Sequence, residues 1–193
     1  KVVITAGPTF EAIDPVRGIT NSSSGKMGYA LARVCAQAGA EVVLVSGPVA
    51  LPTPYGVARV DVASAQQMHA AVFANLDAAD VFIGVAAVAD YRPADAAEHK
   101  LKKSGEAMTL SLVPNPDILA EVAALQNAPF CVGFAAESRD LDTYAEGKRR
   151  NKKVPMIVGN LVQDALGSDD NQVVIYDAAG RHPVPREIGR AHV

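Results

Sequence analysis

The apolar run Val2-Val3-Ile4-Thr5-Ala6, followed at once by Gly7-Pro8, sets the first element of the fold. A short apolar run that ends at turn residues is typical of a strand buried on both faces. We predict a polar loop over residues 7–24 and then a helix that begins near Gly25 and ends at Gly39. Apolar residues recur in it every three or four positions, as on the buried face of an amphipathic helix: Met27, Ala30, Leu31, Val34, Cys35 and Ala38.

The alternation of strand and helix patterns continues along the chain. Further strands are predicted at 41–45, 57–62, 81–85, 108–112, 130–134 and 156–158, and helices at 66–75, 117–125 and 140–153. Two final strands at 173–176 and 182–184, joined by turn residues, predict a hairpin. We therefore predict an α/β fold: a Rossmann-like, doubly wound, mostly parallel sheet with helices on both faces and a C-terminal β-hairpin.

Composition narrows the possible classes of protein. The 193 residues suit a single domain spanning 1–193, and a formal net charge of −3 argues against a dedicated nucleic-acid-binding protein. The sequence has no run of 18 apolar residues, so no membrane-spanning segment is predicted. Cys35 and Cys131 lie in apolar runs and form no C-x-x-C pair, which is typical of buried, reduced thiols. We expect a cytoplasmic protein with no nucleic-acid or membrane partner.

Ligands of a doubly wound sheet bind at the carboxyl ends of its strands. The segment that opens the first helix offers hydroxyls, backbone N–H groups and the positive end of a helix dipole, which together favour an anion such as phosphate. Serine is also a common helix cap, but three serines with Asn21 and two glycines exceed what one cap needs. The predicted phosphate or substrate site comprises Gly7, Ser23, Ser24, Gly25, Lys26, Met27, Gly28 and Ala87.

Two common nucleotide motifs do not fit the sequence. Gly18 and Gly25 are too far apart for a P-loop, and Met27 stands where its serine or threonine belongs. The second predicted strand ends without an acidic residue that could hold a ribose, which argues against a dinucleotide fingerprint. Tyr144 and Lys148 match the Y-x-x-x-K pattern of short-chain reductases, although the pattern also suits a helix with Tyr144 packed inward.

Positive charge is concentrated in two places of this acidic chain. Lys100, Lys102 and Lys103 lie in a predicted flap at 94–105, and a second group of cations lies between Lys148 and Lys153. Cations at the end of a helix also complement its dipole, which is the competing interpretation for the second group. Together with an anion site at the first helix, the two groups predict a polyanionic ligand, of which a triphosphate is the simplest.

Several long motifs closely resemble the bacterial phosphopantothenoylcysteine synthetase family. The similarity extends from about residue 2 to about residue 174. The motifs that carry it are Ile4-Thr5-Ala6-Gly7-Pro8-Thr9, Ile13-Asp14-Pro15-Val16-Arg17, Ile19-Thr20-Asn21, Ser23-Ser24-Gly25-Lys26-Met27-Gly28, Ala86-Ala87-Val88-Ala89-Asp90-Tyr91, Lys100-x-Lys102-Lys103, Asn115-Pro116-Asp117-Ile118 and Gly133-Phe134-Ala135-Ala136-Glu137.

The resemblance implies a two-step ligase. The carboxylate of 4′-phosphopantothenate attacks the α-phosphate of CTP and releases pyrophosphate, and the amine of L-cysteine then attacks the acyl-cytidylate and releases CMP. CTP is then a substrate, and Mg²⁺ arrives on its phosphates with no certain ligand from the chain. The resemblance also implies a homodimer and a longer bifunctional chain with a flavin-dependent decarboxylase domain, from which residues 1–193 are excised.

Roles for individual residues also follow from the resemblance alone. Lys100 serves formation of the acyl-cytidylate, Asn21 holds the acyl carbonyl or its oxyanion during amide formation, and Asp90 takes polar groups of the nucleoside. The implied CTP site comprises Gly84, Val85, Ala86, Asp90, Lys100, Pro116, Asp117, Ile118, Leu119, Phe134, Lys148 and Lys152. An NADP-linked short-chain-type reductase and a non-catalytic nucleotide-binding module are the alternatives.

Overall fold

The protein is described by a computed structural model that covers residues 1–103, 105–161 and 172–184. In chain order the elements are β1 (Val2–Ala6), β2 (Phe10–Ala12), β3 (Gly18–Thr20), α1 (Lys26–Gln37), β4 (Val42–Ser46), β5 (Val57–Asp61), α2 (Ala65–Asn75), β6 (Val81–Gly84), β7 (Tyr91–Pro93), β8 (Leu112–Pro114), α3 (Ile118–Ala123), β9 (Phe130–Glu137), α4 (Leu141–Asn151), β10 (Met156–Leu161), β11 (Val173–Asp177) and β12 (Gly180–Val184).

The described residues form two compact units. Unit 1 comprises Lys1–Ala78 and Val85–Ile118, and unit 2 comprises Ala79–Gly84 and the described residues from Leu119 onward. Each unit combines parallel strands with helices, and unit 2 ends in an antiparallel hairpin. The predicted α/β class with a mostly parallel, Rossmann-like arrangement and a C-terminal hairpin is confirmed.

The core of unit 1 is built around β4, which pairs in parallel with β1 on one side and β5 on the other. All five residues of β4 are buried, as expected for an uninterrupted apolar strand covered on both faces. Leu44 pairs with Ile4 and with Arg59 across the two ladders. Each fully buried aliphatic side chain contributes about 1.5–3 kcal/mol to the stability of this core.

A buried carboxylate and a capping box begin α2. Ser64 Oγ accepts from Gln67 N at 3.2 Å, and Gln67 Oε1 accepts from Ser64 N at 3.3 Å, so two backbone donors are satisfied reciprocally. Glu11 lies in β2 and is only 2% exposed, and its Oε1 accepts from Ala65 N at 2.9 Å. The negative charge of Glu11 therefore stands at the positive end of α2.

Unit 2 has the strand order β6-β9-β10-β11-β12. The first three strands are parallel, whereas β11 runs antiparallel to β10 and β12 antiparallel to β11. Phe82, Cys131 and Ile157 are buried in its core. Burial raises the pKa of the Cys131 thiol to about 11, so this cysteine is the inert, apolar residue that the sequence predicts, while Cys35 is only half-buried.

Part of the predicted 7–24 loop is structured. β2 and β3 form an antiparallel hairpin in which Glu11 pairs with Ile19, so the prediction of an irregular segment was wrong there. The turn between them is closed by Asp14, whose Oδ1 accepts from Val16 N at 2.8 Å and from Arg17 N at 2.9 Å. Aspartate side chains stabilise turns by this kind of local bond, and the three-residue strands are too short to show a periodicity.

The buried faces of two helices also differ from prediction. In α1 the buried residues are Gly28, Tyr29 and Ala32, and Val34 is 51% exposed. Tyr29 is buried because its hydroxyl pairs with Ser46 Oγ at 2.8 Å, a polar contact that a count of aliphatic residues misses. In α4 the buried residue is Ala145, and Tyr144 is 45% exposed rather than packed inward.

The strand predicted at 108–112 lies further along the chain. The strand that pairs with β7 is β8, in which Leu112 lies opposite Pro93 and Pro114 lies opposite Tyr91. Arg92 adds a bond from Nη1 to Pro114 O at 2.6 Å. The alternation at 108–112 was therefore a misleading signal, because the ladder is set by the partner strand.

In the part of the chain that the structure describes, no helix is both long enough and apolar enough to cross a membrane.

Glu146 is expected to stabilise the folded protein at neutral pH and to lose this contribution in acid. Hydrogen bonds from Arg149, and then from Arg150, lower the pKa of its carboxyl from 4.5 to about 2. A carboxyl with a lower pKa in the folded state stabilises the protein above the unfolded value and loses this contribution as pH falls from about 4.5 to about 2. The melting temperature of Glu146→Gln should therefore be below that of the parent at pH 7, and the gap should close between those pH values; a gap independent of pH would contradict the assignment.

Candidate functional site

The end of β1 and the start of α1 approach each other closely in unit 1. Gly7 and Gly25 both have positive φ, at +75° and +76°, a backbone conformation that favours glycine. A Cβ added at Gly25 would lie 3.4 Å from the backbone N and Cα of Gly7. A Cβ at Gly28 would lie 2.5 Å from Ala6 Cβ, so the first turn of the helix rests directly on the strand. Glycine is required at these positions for the strand end and the helix start to meet.

The first turn of α1 has only weak side-chain caps. Its N-cap is Gly25, which has no side chain to cap with. Ser23 Oγ accepts from Gly25 N and Ser24 Oγ accepts from Lys26 N, both at a long 3.4 Å. The first N–H groups of a helix lack an intrahelical partner and carry the positive end of its dipole. The predicted phosphate residues from Gly7 to Gly28 are thus brought together around a helix start that suits an anion.

Backbone groups of the segment that follows β6 are held by two buried threonines. Thr5 Oγ1 accepts from Val85 N and Ala86 N, both at 3.2 Å. Thr9 Oγ1 accepts from Ala89 N at 2.9 Å. The threonine side chains therefore determine the path of a segment to which three predicted residues belong: Val85, Ala86 and Ala87.

Asn21 is bonded to the same segment. Its Nδ2 donates to Ala87 O at 3.0 Å, while Ala87 N donates to Gly7 O at 2.9 Å. The preceding residue is fixed as well, because Thr20 Oγ1 donates to Thr9 O at 2.7 Å. An amide nitrogen carries two hydrogens, so the bond to Ala87 orients the Asn21 side chain and leaves its second N–H able to donate. The structure thus brings Asn21, Gly7 and Ala87 together.

A further part of the predicted nucleotide site is joined through Asn115. Its backbone N donates to Asp90 O at 2.8 Å, and its Nδ2 donates to Ala89 O at 2.9 Å. These bonds place the start of the Pro116–Ile118 segment beside Asp90. Asp90 and Asp117 are exposed, and Ile118 is buried. Lys100 is exposed in the flap, whose backbone is bonded to the β2–β3 turn.

Five predicted residues belong to unit 2: Gly84, Leu119, Phe134, Lys148 and Lys152. The side chain of Leu119 packs over Gly84 and Gly133. A Cβ added to Gly84 would lie 3.6 Å from Leu119 Cδ1, and a Cβ added to Gly133 would lie 2.5 Å from Leu119 Cδ2. Lys148 Nζ donates to Phe134 O at 2.7 Å, and Lys152 lies one helical turn later. Unit 2 thus brings Gly84 to Leu119 and Phe134 to Lys148.

Four residues that organise unit 1 stand in the quoted motifs but are absent from the predicted site: Thr5, Thr9, Asp14 and Asn115. The available signal for Thr5 was a hydroxyl inside an apolar strand, and Thr9 follows the same strand two residues after Gly7. A buried hydroxyl needs a hydrogen-bond partner, so such a position suggests a contact with another part of the chain.

Among the described residues, no group of three or more histidine, cysteine, aspartate or glutamate side chains could hold a metal ion. Mg²⁺ is commonly held by phosphates and water with one or two carboxylates. An ion that arrives on a nucleotide therefore needs no such group.

Comparison with known proteins identifies the family. The model of the DNA/pantothenate metabolism flavoprotein C-terminal domain matches residues 1–190. The chain belongs to this family. The resemblance of the sequence motifs is thereby confirmed, and the hypothesis of an NADP-linked reductase, with Tyr144 exposed on α4, is left without support.

Relatives of the flavoprotein C-terminal domain family cover nearly the whole chain. The Coenzyme A biosynthesis bifunctional protein CoaBC of Vibrio cholerae is 54% identical over 96% of this chain and 48% of its own length. The crystal structure of the C-terminal domain of such a CoaBC protein is 43% identical and has a TM-score of 0.80, with 95% of this chain and 85% of that chain covered. The DNA/pantothenate metabolism flavoprotein from Streptococcus pneumoniae, 22% identical with a TM-score of 0.83 over 95% and 91% of the two chains, shares the fold. The chain spans about half the length of the curated relatives.

Proposed function

We propose that this chain is a phosphopantothenate–cysteine ligase, which activates 4′-phosphopantothenate with CTP and joins it to L-cysteine. The proposal is supported by membership of the flavoprotein C-terminal domain family and by 43% identity to the C-terminal domain of a protein named for coenzyme A biosynthesis. The observation that carries the proposal is a cluster of residues in unit 1. There the glycine-lined start of α1 lies beside the amide of Asn21, which is oriented by its bond to Ala87 O.

The first step joins two anions and therefore needs positive charge. A carboxylate oxygen of 4′-phosphopantothenate forms a bond to the α-phosphorus of CTP, and the bond from that phosphorus to the pyrophosphate oxygen breaks. The N–H groups at the start of α1 and the ammonium of Lys100 stabilise the charge that develops on the phosphates. Mg²⁺, carried by CTP, neutralises part of the same charge. The product acyl-cytidylate has CMP as a good leaving group.

The second step makes the amide. The amine of L-cysteine attacks the acyl carbon and gives a tetrahedral oxyanion, from which the bond to CMP breaks as the nitrogen loses a proton. Asn21 donates its second N–H to the acyl oxygen, because an amide stays neutral and remains a donor over the whole working pH range. The bond from Asn21 Nδ2 to Ala87 O, at 3.0 Å, fixes the amide for this task.

The nucleotide is assigned to the residues that the family resemblance implies. Asp90 meets polar groups of the nucleoside beside the Pro116–Ile118 segment, and Val85 and Ala86 offer backbone N–H groups that are held by Thr5. The resemblance also implies CTP contacts for five residues that belong to unit 2: Gly84, Leu119, Phe134, Lys148 and Lys152. The choice of cytosine over other bases rests on the resemblance.

Release of pyrophosphate tests the proposal against both alternatives. Pyrophosphate is expected only when CTP, 4′-phosphopantothenate and Mg²⁺ are all present, and amide and CMP only after L-cysteine is added. Mg·CTP should raise the melting temperature of the protein, and NADPH should not. Stabilisation by NADPH alone would favour the reductase, and binding of CTP without any pyrophosphate release would favour a non-catalytic module.

Partners and location complete the proposal. We assign the chain to a cytoplasmic bifunctional protein, as the name of the bifunctional relatives supports for the second activity. The resemblance of the sequence motifs implies that this second activity is a flavin-dependent decarboxylase. A homodimer is supported by exposed apolar side chains of unit 1, and β12, the outermost strand of unit 2, offers an edge for pairing. The exposed apolar side chains of unit 1 are Val16, Val34, Tyr55, Tyr91, Leu101, Met108 and Leu112.

A further inference from the structure

The carboxylate of Asp14 is the centre of an unusually complete set of hydrogen bonds. Its side chain is fully buried in the turn between β2 and β3. Oδ1 accepts from Val16 N and Arg17 N, while Oδ2 accepts from the Arg17 guanidinium and from Leu101 N at 3.1 Å. The hydrogen bonds from Arg17 hold the pKa of Asp14 well below its ordinary range, so this group stays charged at any pH used for an enzyme assay.

The two oxygens of Asp14 have different tasks. Oδ1 bonds only within the turn, which an aspartate at this position stabilises by itself. Oδ2 reaches 87 positions along the chain to Leu101 N, which belongs to the peptide bond that follows Lys100. Arg17 Nη2 donates to Leu101 O at 2.8 Å, so the ion pair holds Leu101 by both its N–H and its carbonyl. Closure of the turn explains the bonds to Oδ1. It does not require the bond from Leu101 N to Asp14 or the bond from Arg17 to Leu101 O.

We infer that Asp14 is a positioning residue for Lys100, acting through the backbone of Leu101, an inference that rests on the proposed ligase function. Lys100 is exposed, with a long and flexible side chain. A lysine of this kind contributes to catalysis only if its backbone is held where the ammonium can reach the phosphates. Ala97 N also donates to Ile13 O at 2.9 Å, so two bonds tie the flap to the same turn on the approach to Lys100.

The variant Asp14→Asn separates the two tasks. An asparagine can keep its oxygen in the place of Oδ1 and so retain the turn. Its NH₂ group then faces Leu101 N and the Arg17 guanidinium, which are also hydrogen-bond donors. The bond from Leu101 N to residue 14 is therefore lost. We expect the rate of pyrophosphate release to fall roughly ten- to a hundredfold, as small displacements of a catalytic group commonly cause.

A double-mutant cycle distinguishes positioning from a general structural effect. If Asp14 acts through Lys100, then Asp14→Asn should lower pyrophosphate release in the parent but have little further effect in Lys100→Gln. Amide formation from supplied acyl-cytidylate should be unchanged in Asp14→Asn. Equal fold losses with and without Lys100, or no loss in the parent, would overturn the inference.

Glu11→Gln is a matched control. Glu11 is another buried carboxylate of the same hairpin, at 2% exposure, but its bond goes to Ala65 N at the start of α2. We expect this variant to lose thermal stability while it retains the rate of pyrophosphate release. A loss of rate equal to that of Asp14→Asn would assign the effect to the hairpin as a whole and overturn the inference.

If Asp14→Asn does not fold, hydrogen exchange in the unaltered protein tests whether the amide of Leu101 is bonded to Asp14. The amide of Leu101 should exchange at least about tenfold more slowly than those of Lys102 and Lys103, because only a bonded amide is protected. Equal exchange at the three positions would overturn the inference. An unaltered protein that releases no pyrophosphate, despite a protected Leu101 amide, would instead refute the proposed function and remove the ground for the inference.

Discussion

Replacement of Asn21 by alanine is expected to slow amide formation about 10²- to 10³-fold and to leave pyrophosphate release close to that of the parent. The reason is that the oxyanion forms only in the second step, so a donor to the acyl oxygen is needed only there. Asn21 is exposed and its amide is oriented by the 3.0 Å bond to Ala87 O, so the loss of its side chain should disturb little else. The measurement is a pair of single-turnover assays, one for pyrophosphate and one for amide.

Two further variants sharpen this experiment. Asn21→Asp keeps the shape of the side chain but replaces the donor by a carboxylate, so it should be at least as slow as the alanine variant in the second step. Asn75→Ala removes a bond of the same kind, from Nδ2 to Ala71 O at 2.8 Å within α2, and should retain both steps. Parallel loss of both steps in Asn21→Ala would contradict the assignment of Asn21 to the second step.

The order of strands and helices follows from the sequence because the buried strands are uninterrupted apolar runs. β4 shows this most clearly, since all five of its residues are buried and turn residues follow it. The β2–β3 hairpin was missed because its strands have three residues each and depend on a turn closed by Asp14. The buried face of α1 was misplaced because Tyr29 enters the core through a bond to Ser46, a contact between distant positions that periodicity does not contain.

The backbone features of the candidate site can be compared with the sequence, whereas its chemistry stays a prediction. Gly7 and Gly25 were both predicted to belong to one phosphate site, and the structure brings their backbones close together. The partners of Thr5 and Thr9 were not predictable, because these hydroxyls accept from Val85 N and Ala89 N, each 80 positions later in the chain. The roles of Asn21 and Lys100 come from the family resemblance alone, and the experiments on each residue test them.

Replacement of Lys100 by glutamine is expected to slow pyrophosphate release about 10²-fold. The side chain keeps most of its length but loses the charge that faces the triphosphate when the carboxylate of the substrate approaches. Pyrophosphate leaves before the amine attacks, so the demand for this charge ends with the first step. Amide formation from supplied acyl-cytidylate should therefore stay within about threefold of the parent, a change of less than 1 kcal/mol in the barrier.

A neighbouring lysine provides the control for Lys100→Gln. Lys103 is exposed in the same flap and carries the same charge, so Lys103→Gln lowers the net charge of the flap by the same amount. If general attraction of a polyanion were the cause, the two variants should be equally slow, and both should approach the parent at high salt because exposed charges are screened. If Lys100 acts at the phosphates themselves, only Lys100→Gln should be slow, and added salt should not remove the difference.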